Sequence, residues 1–139
     1  MIILDTNVIS ALMHVPPDPA VVAWLDQQPA LSVWTTAITV FEVRLGLSLL
    51  PLGRRRERLE GEFAQVVMTD LDGRILPFDE AAAREAGDLA ARRQQRGVNI
   101  DTRDTQIAGI VLAHRATPAT RNRRHFADLG LPPVDPWSA

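Results

Sequence analysis

The segment IILDTN, residues 2–7, decides the fold class of this chain. Its first three residues form an apolar run without alternation, which is typical of a central parallel strand that is buried on both faces. Asp5, Thr6 and Asn7 follow at once, and an apolar helical pattern continues to Met13. The segment predicts a strand that turns directly into a helix, with Asp5 at the edge where open α/β sheets bind ligands. A role for Asp5 as a helix N-cap alone is the alternative.

The length and composition of the chain limit its function class. We expect its 139 residues to form a single domain, residues 1–139, with a hydrophobic core. The absence of cysteine excludes disulfides, thiolate metal sites and cysteine nucleophiles. Because no apolar run reaches the length of a membrane span and no signal peptide precedes the first strand, we expect a cytoplasmic protein without a membrane partner. All fifteen basic residues are arginine, which favours bidentate contacts to phosphate.

Strand and helix patterns alternate along the rest of the chain. Apolar runs predict further strands at residues 31–35, 74–78 and 116–120, and an edge strand at 133–135. Capping residues and apolar spacing predict helices at about 7–13, 19–28, 36–50, 53–68, 79–96, 101–114 and a short one at 121–126. This order predicts a three-layer α/β/α sandwich with a mainly parallel sheet of about five strands.

Two of the predicted helices carry an acidic residue among apolar ones. In the third helix Ile38, Phe41, Leu45 and Leu49 are predicted to face the core, and Glu42 lies beside them. A carboxylate in this position is costly unless a positive group pairs with it, so pairing with an arginine at the core boundary is the alternative.

The sixth helix has the same feature. Asp104 is one turn before Ile107 and Ala108, on the face that these residues predict to be buried. Asp101 lies a further turn back and is interpreted as a structural N-cap. The arginines of two other helices, residues 54–58 and Arg92, Arg93 and Arg96, are interpreted as solvated faces, with RNA or partner contact as the alternative for residues 54–58.

The acids are predicted to meet at one edge of the sheet. In a right-handed, doubly wound sheet, Asp5, Glu42 and Asp104 can converge at the carboxyl ends of the strands, and Asn122 follows the last central strand to the same edge. Clustered carboxylates repel one another unless a cation joins them. Oxygen ligands without cysteine or paired histidines suit Mg²⁺ or Mn²⁺, and metal-assisted hydrolysis of a phosphodiester follows from such a site.

Several motifs of this sequence are similar to those of a known family. In chain order they are Asp5-Thr6-Asn7, Phe41-Glu42, Asp104-Thr105-Gln106-Ile107-Ala108, Thr120-Arg121-Asn122, Phe126 and Pro136-Trp137. Over essentially the whole chain the sequence resembles the PIN-domain family, and within it the VapC/FitB-like toxins of bacterial toxin–antitoxin pairs. The resemblance implies a Mg²⁺-dependent endoribonuclease in which Mn²⁺ can substitute. It also implies inhibition by a cognate antitoxin, and a homodimer or larger assembly with it.

The resemblance assigns roles to individual residues. Asp5 and Asp104 match the principal metal ligands of the family, and Glu42 matches its third acid. Asn122 stands where relatives have Asp or Asn, so it can ligate the metal or position water but cannot act as a base. Thr6 and Asn7 are expected to orient the Asp5 loop. Thr120 is expected to form a hydrogen bond near the metal.

Basic residues beside the predicted site suit an RNA substrate. Arg121, Arg123 and Arg124 are expected to contact RNA phosphates, with solvated surface as the alternative. His125 stands where many relatives carry an acid, so a single firmly bound ion is the default expectation. His125 itself is interpreted either as a phosphate contact or as an ordinary surface histidine.

Four other functions are alternatives to this one. A haloacid-dehalogenase-type phosphatase requires a second aspartate where Asn7 stands and also a lysine, and a receiver domain requires the same missing lysine. DNA-cleaving PIN relatives usually carry insertions that this chain lacks. A catalytically degenerate PIN module that only binds a partner is the non-enzymatic alternative. For the antitoxin we predict an amphipathic helix in a groove near Trp24, Leu47 and Leu50, with an arginine reaching the acidic site.

Overall fold

The computed structural model describes all residues, 1–139, and contains one parallel sheet. Its four strands are β1 (Ile2–Leu4), β2 (Val33–Thr36), β3 (Ile75–Leu76) and β4 (Thr117–Ala119), in the spatial order β3-β2-β1-β4. The predicted edge strand at residues 133–135 is reduced to a single bridge, in which Val134 pairs in parallel with Ala119. Prolines flank this position and lack the N–H groups that a longer ladder needs, which explains why the sheet has four strands and not five.

Six α-helices surround the sheet. They are α1 (Thr6–Met13), α2 (Pro19–Asp26), α3 (Ala37–Ser48), α4 (Arg54–Gln65), α5 (Glu80–Gln95) and α6 (Thr102–His114). Five of the six have a side-chain N-cap, provided by Asp5, Asp18, Thr36, Asp79 and Asp101. A π-helical turn, Val66–Asp70, extends α4, and a 3-10 turn, Arg123–Phe126, follows β4. None of the helices combines the length and apolar character that a membrane span requires.

The core consists of two apolar clusters on opposite faces of the sheet. Leu4 belongs to a cluster with side chains of α1, α2, α3 and α4, and Ile3 belongs to a cluster with side chains of α5 and α6. Successive residues of β1 thus point to opposite faces and both are buried, as the unbroken apolar run predicts. The three-layer α/β/α prediction is confirmed.

The predicted core face of α3 is wrong. Phe41, Leu45 and Leu49 are 56%, 41% and 76% exposed, and Ile38 is only half-buried. The buried residues of α3 are Thr39, Val43 and Leu47. Apolar residues occur on nearly every side of this helix, so their spacing does not select one face, and the packing partners decide the orientation instead.

The groove predicted for an antitoxin helix cannot be lined by the side chains of Trp24 and Leu47. Trp24 and Leu47 are 7% and 5% exposed and belong to the core, and Leu50 packs against the same cluster. These side chains are therefore occupied by contacts within the chain. A cavity of about 450 Å³ lies beside Trp24 and is lined by Val22 and Leu25, so a groove near these residues stays a prediction.

Helices α5 and α6 pack unusually closely. A Cβ atom at Gly109 of α6 would lie 2.5 Å from the Ala82 carbonyl oxygen and 2.6 Å from the Ala86 Cβ. Only glycine permits this approach, and any side chain would have to push the two helices apart. The close crossing fixes α6, which carries Asp104, against α5.

Arg93 on α5 contradicts the interpretation of its arginines as a solvated face. Arg92 and Arg96 are exposed as expected, but Arg93 is 3% exposed. Its guanidinium pairs with Asp128, at 2.8 Å, in the segment after the 3-10 turn. A buried arginine is tolerable because this carboxylate and further acceptors satisfy it.

Candidate active site

Asp5 lies where β1 turns into α1, and it both caps the helix and lines a cleft. Its Oδ1 accepts a 2.8 Å hydrogen bond from the Thr6 backbone N–H, which is the capping contact. Its Oδ2 accepts hydrogen bonds from the Thr120 hydroxyl at 2.8 Å and from the Asn7 amide at 3.4 Å. Asp5 is 4% exposed, so these donors replace water around the carboxylate.

The end of β4 supports this arrangement. The Thr120 hydroxyl accepts hydrogen bonds from the Asn122 backbone N–H at 2.9 Å and from the Asn7 amide at 3.3 Å. The Asn7 side-chain oxygen in turn accepts one from the Arg121 backbone N–H at 3.2 Å. Asn7 and Thr120 therefore join the β1–α1 turn to the β4 end, and this connection places Asn122 at the cleft.

Glu42 reaches the same cleft from α3. The Thr6 hydroxyl donates a 3.0 Å hydrogen bond to Glu42 Oε1, and it is 3.1 Å from the Thr39 hydroxyl. The Thr36 hydroxyl donates to Thr39 at 3.3 Å, so three hydroxyls form a row that ends at Glu42. Thr36 and Thr39 are supporting residues that the sequence pattern does not predict. The signal that could have found them is their position at the start of α3, where Thr36 is the N-cap and Thr39 lies one turn before Glu42.

Asp104 projects from the first turn of α6 and meets the 3-10 turn. His125 Nδ1 lies 3.1 Å from Asp104 Oδ2. The His125 side chain is only 25% exposed. The interpretation of His125 as an ordinary surface histidine is therefore wrong, because its ring lies against a candidate metal ligand.

The acids share one polar cleft of about 370 Å³. No hydrophobic residue lines it; the lining residues are Asp5, Thr6, Asn7, Ser10, Glu42, Asp101, Arg103, Asp104 and Asn122. Asp101 caps α6, as predicted, and in addition lines the cleft. Ser10 and Arg103 were not predicted as site residues.

Arg103 is the basic residue of this cleft. Its Nε lies 3.5 Å from Asp101 Oδ1 and 3.9 Å from Glu42 Oε2, and its side chain is 39% exposed. Its place directly before Asp104 in the sequence is the signal that could have identified it. At these distances both pairings are loose, so the charge of Arg103 is only partly compensated.

The electrostatics of the cleft suit a cation. Burial raises the pKa of Asp5, Glu42 and Asp104 above their ordinary values. Repulsion by Asp104 adds to the increase at Asp5 and Glu42, and repulsion by Asp101 adds to it at Asp104. Hydrogen bonds from Thr120 and Thr6 oppose the increase at Asp5, and Thr6 and Arg103 oppose it at Glu42. A donor set made of carboxylate oxygens alone fits a hard divalent cation such as Mg²⁺.

The acids do not form a closed cage. No three carboxylate or imidazole groups of the chain are gathered tightly enough to surround an ion by themselves. This openness agrees with the habit of Mg²⁺, which is usually bound through one or two carboxylates and keeps water or substrate phosphate as its other ligands.

The three arginines predicted to contact RNA lie outside the lining of the cleft. The Arg121 guanidinium lies 4.0 Å from the centre of the Trp137 ring, and Trp137 in turn donates a 2.9 Å hydrogen bond to Asp18. Arg123 and Arg124 are exposed on the 3-10 turn. The structure therefore brings Asp5, Glu42, Asp104 and Asn122 together and leaves these arginines at the periphery.

Comparison with known proteins agrees with this architecture. The PIN domain family matches residues 2–131. The VapC ribonuclease Y4jK of Sinorhizobium fredii is 45% identical, with 99% of this chain and 98% of that protein covered. Toxin FitB of Neisseria gonorrhoeae is 38% identical, with 99% of both chains covered. The crystal structure of FitAcB from Neisseria gonorrhoeae has a TM-score of 0.88 at 37% identity and covers both chains completely.

The fold, the family match and these relatives agree on the family of the protein. The chain belongs to the PIN-domain family. Within that family it is VapC/FitB-like, as the sequence motifs indicate. The phosphatase and receiver-domain alternatives are thereby excluded. Further chains of the same fold come from a member of the VapBC family of toxin–antitoxin systems and from a toxin–antitoxin complex.

Proposed function

We propose that this protein is a Mg²⁺-dependent endoribonuclease toxin that hydrolyses RNA phosphodiester bonds and is inhibited by a cognate antitoxin. The observation that carries the proposal is the convergence of Asp5, Glu42 and Asp104, from three separate elements, in one cleft without apolar lining. Selection for stability alone does not favour such a cluster, because burial raises the pKa of each acid. The similarity to a protein named VapC ribonuclease supports RNA as the substrate.

Asp5, Glu42 and Asp104 are the residues that would hold the ion. When bound, Mg²⁺ supplies charge stabilisation for the phosphate and a more acidic water nucleophile, and Mn²⁺ is expected to substitute. The chain contributes the orientation of the ligands: Thr6 and Thr120 hold Glu42 and Asp5 through hydrogen bonds of 3.0 and 2.8 Å. Asn122 offers an amide that can bind water or phosphate but cannot remove a proton.

Arg103 is the side chain that we expect to contact the phosphate in the cleft. Arg103 lies between Glu42 and Asp101. The acids of the cleft repel an anionic phosphate, and the guanidinium of Arg103 offers it a positive partner there. The Arg123 and Arg124 side chains are exposed beside the cleft and suit the flanking phosphates of the RNA. Arg121 is already stacked on Trp137 and is the weakest candidate of the predicted set.

The acidic cleft also suits inhibition by an arginine of an antitoxin. A guanidinium can pair with two carboxylates whose pKa values are raised by burial and repulsion, and it would compete with the metal. The occurrence of the same fold in toxin–antitoxin complexes supports this partner. We further propose a homodimer, because exposed apolar side chains on α3, among them Phe41 and Leu49, suit a protein interface.

Cleavage of total bacterial RNA by the antitoxin-free protein tests the proposal. Discrete fragments should appear with Mg²⁺, and should be absent with EDTA or in the Asp104→Asn variant. Asp88→Asn is the matched control, because Asp88 is exposed on α5 and does not line the cleft. A folded protein that binds Mg²⁺ without cleaving RNA would point to another phosphodiester. A protein that neither cleaves RNA nor gains thermal stability with Mg²⁺ would be a binding module instead.

A further inference from the structure

Arg93 is the most deeply buried charged residue outside the acidic cleft. It is 3% exposed and makes four hydrogen bonds. Its guanidinium donates to both Asp128 carboxylate oxygens at 2.8 and 2.9 Å, to the Thr105 hydroxyl at 2.9 Å and to the His125 carbonyl oxygen at 2.7 Å. These partners belong to the N-terminal turn of α6 and to the segment that begins with the 3-10 turn.

The partners of Arg93 stand directly behind Asp104, which lines the cleft, and behind His125, which contacts Asp104. Thr105 follows Asp104 in the sequence, and the bonded carbonyl is that of His125 itself. The two side chains thus supported face each other, with His125 Nδ1 3.1 Å from Asp104 Oδ2. The Arg93 guanidinium therefore bonds to the backbone of His125 and to the side chain of Thr105, which is the sequence neighbour of Asp104. Its planar fork suits the task, because a lysine cannot bond a carboxylate and two further acceptors in fixed directions.

We propose that Arg93, together with Asp128, is a positioning residue that fixes the 3-10 turn Arg123–Phe126 against the first turn of α6 and so sets the place of Asp104 in the cleft and of His125 against it. The catalytic part of this inference rests on the proposed function. The structural part of the inference does not rest on that function, because it concerns only how the 3-10 turn is held against the first turn of α6. A purely structural role would instead stabilise the fold without a specific effect on the cleft.

Conservative variants separate these two roles. Arg93→Lys keeps the charge and loses the fork, and Asp128→Asn keeps the shape of a side chain that is 29% exposed. Thr105→Val removes the hydroxyl that accepts from Arg93, and Thr105→Ser restores it. Arg92→Lys, at an exposed position of the same helix, is the control. Amide hydrogen exchange, Mn²⁺ affinity by calorimetry and the kcat and KM of RNA cleavage are measured for each folded variant.

A positioning role predicts a local and specific response. Exchange of the His125 amide, which bonds to the Asn122 carbonyl at 3.0 Å, should accelerate in Asp128→Asn and Arg93→Lys, while the amides of α1 stay protected. Mn²⁺ affinity and kcat should fall about 10- to 100-fold with little change in KM, as for other residues that orient metal ligands. Thr105→Ser should behave like the wild type and Thr105→Val like Arg93→Lys.

Three results would overturn the proposal. Unchanged exchange at the 3-10 turn would show that Arg93 does not fix it. Faster exchange with unchanged Mn²⁺ affinity and kcat would show that the turn does not set the cleft, and a uniform loss of protection would indicate a purely structural role. If the wild type fails to cleave RNA, the proposed function fails by itself, and exchange and Mn²⁺ affinity still decide whether Arg93 positions the acids.

Discussion

The Thr120 hydroxyl donates a 2.8 Å hydrogen bond to Asp5 Oδ2 and so joins the ends of two neighbouring parallel strands. Both residues are buried, with exposures of 0% and 4%. The same hydroxyl accepts from the Asn122 backbone N–H, so it works as donor and acceptor at once. The contact stabilises the ionised form of Asp5, which burial disfavours.

Replacement of this hydroxyl should affect both stability and metal binding. We expect Thr120→Val to lower the free energy of unfolding by about 1–3 kcal/mol, because a buried carboxylate loses its donor and a backbone N–H its acceptor. The pKa of Asp5 should rise further and Mg²⁺ affinity should fall. Urea unfolding and Mg²⁺-linked thermal shifts measure the two effects. Thr120→Ser keeps the hydroxyl and should remain close to the wild type; equal losses in both variants would assign the effect to packing.

Neutralising a cleft acid should remove activity without unfolding the protein. We expect no RNA cleavage by Asp5→Asn or Asp104→Asn, and an unfolding free energy in EDTA at neutral pH that is not below that of the wild type. Repulsion among the acids is relieved, and asparagine caps a helix about as well as aspartate does, so α1 keeps its N-cap. Loss of the folded state in both variants would make these acids structural. Asp88→Asn should leave activity and stability unchanged.

The raised pKa values predict how stability depends on pH. Between their ordinary values, about pH 4, and their higher values in the folded state, Asp5, Glu42 and Asp104 bind more protons when folded than when unfolded. Their contribution to the unfolding free energy therefore falls as pH rises through this window. Asp128 acts in the opposite sense, since its hydrogen bonds with Arg93 lower its pKa and its contribution disappears in stronger acid.

Urea unfolding in EDTA from pH 4 to 8 tests this dependence. The stability of the metal-free wild type should decline toward neutral pH, and Asp5→Asn should show a shallower decline. Saturating Mg²⁺ should offset the decline, because it binds the ionised acids of the folded state only. A metal-free profile that rises steadily toward pH 8 would contradict the raised pKa values of the cleft.

Local patterns allowed the sheet and the acids to be predicted, because each depends on neighbours in sequence. The apolar run before Asp5 specifies a strand buried on both faces, and the helical spacing of Asp104 to Ile107 places an acid at the edge of a buried stripe. The orientation of α3 could not be predicted in the same way. Its apolar residues surround the helix, and only the packing against neighbouring helices distinguishes Leu47 from Leu49.

Arg93 shows a second limit of sequence patterns. Arg92, Arg93 and Arg96 look alike in a charged helix, and the partner that buries one of them, Asp128, is 35 positions away. A pair of this kind is defined by tertiary contact and leaves no periodic signal. The contact of His125 with Asp104 and the place of Arg103 in the cleft escaped prediction for the same reason, since both depend on which segments meet.

The corrected orientation of α3 can be tested by a matched pair of truncations. We expect Leu47→Ala to lower the unfolding free energy by about 2–5 kcal/mol, because Leu47 is buried in the core. Leu49→Ala, at a position that is 76% exposed, should change it by no more than about 0.5 kcal/mol. Urea unfolding at low protein concentration measures both values for the monomer. The reverse order would restore the face that the sequence pattern predicted.

Arg103 should be the arginine whose loss most affects RNA binding. Its Nε lies 3.9 Å from Glu42, and its positive charge lowers the pKa of that acid, so Arg103→Gln removes both a phosphate partner and a compensating charge. We expect a several-fold higher KM and a salt dependence of RNA affinity that is shallower by about 0.7 in the log–log slope, the effect of one phosphate contact on a single strand. Fluorescence anisotropy measures the RNA affinity at several salt concentrations, in the Asp104→Asn background that is expected not to cleave RNA.

Arg92→Gln removes the same charge from an exposed site away from the cleft and is the control for net charge. Equal effects of the two variants would mean that Arg103 acts only through the overall field of the protein, and no effect of either would remove Arg103 from the RNA-binding site.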